Sequence, residues 1–235
     1  DYIRFFLLAF FEPFCYFMGE SFGMQYVSAS LASIIVALIP LITPIFAWLF
    51  IKERVNIYEI IGLIVSFAGV LFLVLNDFRL EGRLIGYILM FIAVLGGTNY
   101  AIALRPLVDK YSALTIVKVQ TLIGSFLFLP FFLAFEYQHY RALEFQIAPY
   151  VNLALLAIFP SSLAFIIMTI MVRNLGVVKA NIFTNLIPIM TAVLSYFILK
   201  ESFSTLKLFA MLVVIMGLFV SQIRINNKIV KEAKI

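Results

Sequence analysis

Residues 31–53 and 179–201 are two copies of one segment. LASIIVALIPLITPIFAWLFIKE and KANIFTNLIPIMTAVLSYFILKE align without a gap at an offset of 148. The offset pairs Pro40 with Pro188, Thr43 with Thr191, Lys52 with Lys200, Glu53 with Glu201 and, further on, Gly69 with Gly217. Aliphatic matches are cheap in so apolar a chain. A mid-helix proline followed at matching distances by a Lys-Glu pair and a glycine is not. A repeat of this kind in an apolar chain points to a two-fold architecture with its working site between the halves.

The solvent of that architecture follows from composition. The chain is 64% hydrophobic, 16% aromatic and 12% charged, with a mean hydropathy of +1.11. Soluble domains average about half apolar and about a quarter charged, so the bilayer has to be the solvent. The apolar runs are too long and too many for a signal peptide. The single cysteine, Cys15, excludes an internal disulfide framework, and no metal-ligand cluster accompanies it. His139 is the one histidine and falls in a loop, which leaves zinc or triad chemistry almost no raw material. There is no H-E-x-x-H, G-x-S-x-G, P-loop or dinucleotide fingerprint. The chain is therefore expected to be no enzyme and to carry no cofactor or metal. Its net charge of +5 sits in short loops and a tail, where it sets membrane orientation and is no nucleic-acid signal.

A hydrocarbon core of about 30 Å takes roughly 20 apolar residues as a helix. Stretches near 4–26, 31–51, 57–75, 84–104, 113–135, 150–172, 180–199 and 206–223 qualify. Lipid leaves no partner for a free backbone group, so each is expected to be helical. The fold class is thus an all-α polytopic membrane protein with eight transmembrane helices. Strict alternation places Arg4, Lys52, Arg54, Arg105, Lys110, Lys118, Arg173, Lys179, Arg224, Lys228, Lys231 and Lys234 on one side. Arg79, Arg83, Arg141, Lys200 and Lys207 fall on the other, 12 against 5. The basic side is expected to be cytoplasmic, with the C-terminus, in a cell (inner) membrane.

The two Lys-Glu turns fall on opposite sides, so the copies are expected to be inverted, with an odd number of helices in each. Helices four to eight make a five-helix unit at 79–223, followed by a basic cytoplasmic tail at 224–235. The first copy, 1–78, holds only three, and the chain opens on Asp1. Two further helices are expected ahead of it, ten in the parent protein.

This pattern resembles the drug/metabolite transporter superfamily in its EamA-like branch. Each repeat of that family closes with a small-residue entry, a proline-bearing apolar helix, a Lys/Gly-Glu-Arg/Lys turn and a helix with spaced glycines. Here these are Tyr26-Val27-Ser28-Ala29-Ser30, Pro40, Lys52-Glu53-Arg54, and Gly62 with Gly69. The second copy keeps Pro188, Lys200-Glu201 and Gly217, and departs at Ser202 and Ala210. The resemblance implies ten helices in two inverted five-helix repeats. Family members are said to carry amino acids, other metabolites and drugs, so it says little about the solute.

Candidate solute-binding residues are Tyr16, Glu20, Asn99, Tyr100, Ser162, Asn181 and Asn185, with Glu12 and Glu20 as candidates for proton coupling. Glu12, Tyr16 and Glu20 are spaced by four and share a face of a continuous helix. A carboxylate inside a span costs about 3 kcal/mol unless it meets water, a partner or a proton. A proton site, a substrate-amine site and a structural bond to a neighbouring helix all answer that cost. Pro13 beside Glu12 opens the helix to water, and Pro160 stands at the position of Glu12 in the second copy. Asn181, Thr184, Asn185, Pro188, Thr191 and Ser195 form one stripe of helix seven. That stripe is either a cavity wall or a packing face. Asn99 sits near a surface, Ser161 and Ser162 rebond the backbone freed by Pro160, and Lys118 snorkels. Trp48 and Tyr196 read as interface aromatics. Glu53 and Glu201 sit where each would cap the helix that follows it.

The function expected is a secondary transporter, an exporter of small organic metabolites, rocking between inverted repeats. A nucleotide-sugar or lipid-linked carrier is the nearest alternative, though its phosphates would want more basic spans. A non-transporting sensor or assembly subunit is the alternative of another class. The partners expected are the lipid bilayer and a small-molecule substrate, without nucleic acid. A homodimer is left open.

Overall fold

The computed structural model describes residues 1–74, 83–142, 147–187, 189, 190, 193, 197 and 205–223. Pro188, Thr191, Ser195, Tyr196, the Lys200-Glu201 turn and the basic tail lie outside the described residues.

The first apolar run makes α1 (Tyr2–Ala9), a π-helical segment (Phe10–Cys15) and α2 (Tyr16–Gly23). The second splits into α3 (Ala29–Val36) and α4 (Ile39–Ile51), one turn ahead of Pro40. Then follow α5 (Ile57–Val74), α6 (Leu84–Val108) and α7 (Ala113–Phe131). A π segment (Phe132–Glu136) leads to α8 (Tyr137–Ala142). Next come α9 (Ile147–Ile158), a π segment (Phe159–Ala164), α10 (Phe165–Leu175) and α11 (Val177–Ile182), continued by one 3-10 turn (Phe183–Asn185). The last described helix is α12 (Thr205–Ser221). Among the described residues, five helical stretches are long and apolar enough to cross a membrane: Tyr2–Gly23, Leu31–Ile51, Leu84–Val108, Ala113–Glu136 and Ile147–Leu175. Ile57–Leu73 and Thr205–Ser221 are shorter apolar helices.

Local signals explain where the helices begin and end. Ser28 and Ser112 are extended N-caps, accepting from Leu31 N at 3.3 Å and Thr115 N at 3.1 Å. Lys52 takes the left-handed region, φ 55°, and turns the chain out of α4. Phe126, Phe135, Ile147 and Phe219 stand exposed around the outside while Leu8, Met90, Leu104, Leu107 and Ile116 fill the centre. Large apolar side chains on the outer surface are what a bilayer, not water, accommodates.

The helix ends sort into two groups. Lys110 and Tyr111, after α6, bond Asp1, ahead of α1. Arg173, near the end of α10, donates to Val108 O at 2.7 Å. These contacts gather Asp1, Arg4, Arg105, Lys110 and Arg173 at one end. Arg83 N donates to Tyr26 O at 3.0 Å at the other.

The most extensively packed helix pair among the described residues joins repeat mates. The offset of 148 carries α5 onto α12, and the two run antiparallel against each other. A Cβ on Gly217 would lie 2.4 Å from Ser66 N and 2.7 Å from Gly62 O. A Cβ on Gly69 would lie 2.7 Å from Val214 N and 3.0 Å from Ala210 O. Under the offset, the Gly62–Gly217 contact becomes Ala210–Gly69, and Ser66–Gly217 becomes Val214–Gly69. Each contact is thus present twice, as a two-fold axis across the helices requires. A second symmetry appears in the proline breaks: the π segments Phe10–Cys15 and Phe159–Ala164 lie one residue from coincidence under the same offset.

Candidate functional site

Two polar regions interrupt the apolar interior. The first is the break in helix one. Pro13 removes one donor from the helical ladder. Glu12 leaves helical geometry altogether, at φ −148° and ψ 124°, and its bond to Pro13 is cis. Glu12 therefore does not continue the helical face shared by Tyr16 and Glu20. The freed carbonyl of Glu12 accepts from Gln120 Nε2 of α7 at 3.1 Å. On the far side of the break, Tyr16 donates to Glu20 Oε1 at 3.0 Å.

Other helices close on this break. α6 and α7 approach it at Gly96 and Gly124, beside Phe11 and Pro13. Tyr100, one turn past Gly96, is 2% exposed. Its hydroxyl lies near Gln120 and Thr169 of α10 and has no hydrogen-bond partner among the described residues. Among the described residues, Gln120 Oε1 and Thr98 Oγ1 are likewise buried without a hydrogen-bond partner. Among the described residues neither Glu12 nor Glu20 belongs to an ion pair. Two acidic groups and two unpartnered polar atoms, the Tyr100 hydroxyl and Gln120 Oε1, thus meet where helices one, four, five and six converge. A buried polar group without a partner costs about 1–3 kcal/mol, which makes this grouping a poor choice for mere packing.

The second region is a polar seam along α11. Glu53, in the turn after α4, reaches across to the start of α11. Its Oε2 accepts from Val177 N at 3.2 Å and its Oε1 from Val178 N at 3.1 Å. First-turn amides have no partner inside their own helix, and a carboxylate there also meets the favourable end of the helix dipole. Next along α11, Lys179 Nζ lies 3.6 Å from Glu59 Oε1, with both side chains 11% exposed. Glu59 is held by its other oxygen, which accepts from Asn56 N at 3.0 Å in a capping box at the start of α5. Leaving either partner of a buried pair alone costs about 3–5 kcal/mol. Deeper still, Asn181 Nδ2 donates to Thr43 Oγ1 at 2.7 Å and Asn185 Nδ2 to Ser66 Oγ at 2.8 Å.

The structure therefore distributes the sequence-predicted residues between two places. Tyr16, Glu20, Glu12 and Tyr100 gather at the break. Asn181 and Asn185 bond α4 and α5 through the seam. Asn99 lies well inside α6, not near a helix end, and donates to Leu95 O of its own helix at 2.8 Å. Ser162, half-buried, donates its Oγ to Ala157 O at 2.8 Å, rebonding the backbone below Pro160. Glu53 caps α11, 124 residues on, and not the helix that follows it in sequence. Lys118 and Trp48 are exposed, the latter under Lys52 Nζ at 5.7 Å. Glu59, Ser66 and Gly176 carry polar contacts or turns that sequence reasoning passed over. Asn56-x-x-Glu59 was a visible capping signal; nothing in the sequence marks Ser66.

Comparison with known proteins covers most of the chain. The model of the EamA-like transporter family matches residues 1–75 and 84–222. An uncharacterized transporter of Bacillus subtilis, YetK, is 27% identical over 213 residues, covering 86% of this chain and 62% of its own length. The chain thus spans about three fifths of that relative. YcxC of the same organism, also an uncharacterized transporter, is 26% identical and covers 97% of this chain and 75% of itself. A probable terminal-alkyne amino-acid exporter of Streptantibioticus cattleyicolor is 23% identical, covering 77% of this chain and 60% of itself. A solved crystal structure superposes with a TM-score of 0.78 at 17% identity, covering 92% of this chain and 74% of that one. At that identity the likeness is one of fold alone.

Proposed function

The chain belongs to the EamA-like transporter family, and from that premise we propose that it is a secondary transporter exporting small organic metabolites such as amino acids or drugs. The observation that carries the mechanism is the twice-present contact of α5 with α12. Residues 1–78 and 79–223 form two inverted repeats that meet at this antiparallel pair. They rock about it, so that a solute held between them faces each side of the membrane in turn. The C-terminal tail lies in the cytoplasm and the membrane is the inner one, as the basic-residue bias supports.

The solute binds at the break in helix one. Tyr16, Glu20 and Tyr100 supply polar contacts there, with Glu12 beside them. Asn99 and Ser162 lie on the path, and Asn181 and Asn185 exchange their helix contacts for the solute or for water as the halves part. Glu12 and Glu20 carry the coupling proton, or hold a solute ammonium that brings the cation the spans lack. The partners are lipid and the solute. The amino-acid exporter among the relatives supports a solute of that size.

A solute-export screen of the full-length protein in cells tests this, with Glu20→Gln as the comparison. A proton-coupling site predicts that Glu20→Gln export no longer follows the pH gradient. An ammonium site predicts a raised KM instead. Wild-type export with unchanged pH dependence removes Glu20 from the mechanism.

A further inference from the structure

We propose that Glu53, Glu59, Gly176 and Lys179 form the gate that closes the end of the transporter carrying Lys52, Arg105 and Arg173. The proposal rests on the alternating-access function above and assigns the seam along α11 a part in it.

The polar contacts just described for α11 and its 3-10 extension run to α4, α5 or the turn between them. From Val177 to Asn185 they descend about 12 Å along the helix, at 1.5 Å per residue. That is a substantial part of a hydrocarbon core about 30 Å thick. In the repeat assignment, α4 and α5 belong to one half and α11 to the other. The seam therefore joins the two halves at one end of the molecule, the end a solute must leave or enter by.

The chemistry of the seam suits repeated opening. An apolar seal exposes apolar surface to water each time it parts. Here every contact has a hydrated alternative. The Glu53 carboxylate and the first amides of α11 exchange each other for water, as do Lys179 and Glu59. The contact has also been given a joint. α10 ends at Leu175 and α11 begins at Val177, so Gly176 alone connects them. Its φ is +89° and its ψ 172°, a conformation left to glycine. A Cβ there would lie 2.8 Å from Glu53 Oε1. The same residue thus leaves room for the latching carboxylate and supplies the pivot about which α11 leaves it.

A cysteine behind the seam reports whether it is open. Ala47 is fully buried on α4, one helical turn from Thr43 and on the same face, and makes none of the seam's hydrogen bonds. We place Ala47→Cys in a Cys15→Ala chain, reconstituted in vesicles, and measure its labelling by a charged, membrane-impermeant thiol reagent from each side. Glu53→Gln and Lys179→Met are expected to speed labelling at least tenfold, and only from the side of Lys52 and Arg173. Lys179→Arg, which keeps the pair with Glu59, is expected to label as slowly as the parent. Glu53→Gln preserves the side chain's size and carries the test alone if Lys179→Met does not reach the membrane. Unchanged labelling in Glu53→Gln, or acceleration from the opposite side, overturns the gate. The label needs no substrate. A protein that opens as expected yet moves none of the solutes screened counts against the transport reading and not against the gate.

Discussion

Gly217→Ala is the sharpest test of the helix pair on which the two halves are proposed to turn. The added Cβ would meet Ser66 N at 2.4 Å and both Gly62 O and Ser66 Cα at 2.7 Å. All three are backbone atoms, so no rotamer change relieves the clash. Ordinary contact begins at 3.4 Å, and α5 and α12 must separate by about 1 Å to reach it. Overpacking of this kind costs about 1–3 kcal/mol. A gap of 0.5–1 Å forfeits roughly a quarter to a half of each dispersion contact along the rest of the interface, which places this site in the upper part of that range. At about 2–3 kcal/mol the folded-to-unfolded ratio falls roughly 30- to 150-fold, and Tm drops by about 5–10 °C for a chain of this size. The assay is thermal unfolding of the purified protein in one detergent, followed by circular dichroism and by loss of monodisperse elution. Gly69→Ala meets its nearest backbone atom at 2.7 Å and is expected to lose less. Gly62→Ala with Gly217→Ala is expected to cost less than the two singles added, because both open the same gap. A Gly217→Ala protein that melts with the parent, or a strictly additive double variant, refutes the reasoning.

The polar contacts make further predictions, each read as a shift in the same melt. Asn185→Ala strips the Ser66 hydroxyl of its recorded donor and is expected to cost about 1–3 kcal/mol. Asn181→Ala is expected to cost less, since Thr43 Oγ1 keeps its own bond to Ile39 O at 2.7 Å; the reverse order would sink this account of the seam. Gln120→Leu leaves the Glu12 carbonyl without its recorded donor and should lower stability by about 1–3 kcal/mol. Ser112→Ala removes the N-cap of α7 and should cost about 1 kcal/mol, without changing solute export.

The helical runs were legible because lipid permits so few solutions: a long apolar run is a helix, five of the described ones are long enough to cross a membrane, and ends are set by Ser28, Ser112 and Gly176. Helix one could be seen to open at Pro13. What could not be seen was that Glu12 would leave the helix entirely, which takes it off the face of Tyr16 and Glu20. Gly62 and Gly69 of α5 and Gly217 of α12 were visible as a repeat feature, though not that the repeat mates would pack on each other. The seam was the least legible part. Glu53 and Asn181 each carry an obvious polar signal, but their partners lie 124 and 138 residues away. Periodicity shows which face of a helix is polar and not which other helix meets it. Nearest-in-sequence reasoning therefore sent Glu53 to the wrong helix and left the amides of α11 open between solute and packing.

The pairing of α5 with α12 is, in the language of assemblies, an approximately isologous contact drawn inside one polypeptide: two related patches, Gly62-Ser66-Gly69 and Ala210-Val214-Gly217, meet in reverse. Such a patch does not need a covalent connection to find its complement. A fragment presenting only one of the two helices would offer a related, though not identical, surface to a second molecule inserted upside down. What the continuous chain adds is effective concentration, of order millimolar or more for linked partners, so that each half captures its own counterpart before a neighbour's. Cutting the chain between α5 and α6 therefore converts an internal contact into a subunit contact, and the orientation of each piece in the bilayer becomes part of what decides whether they meet.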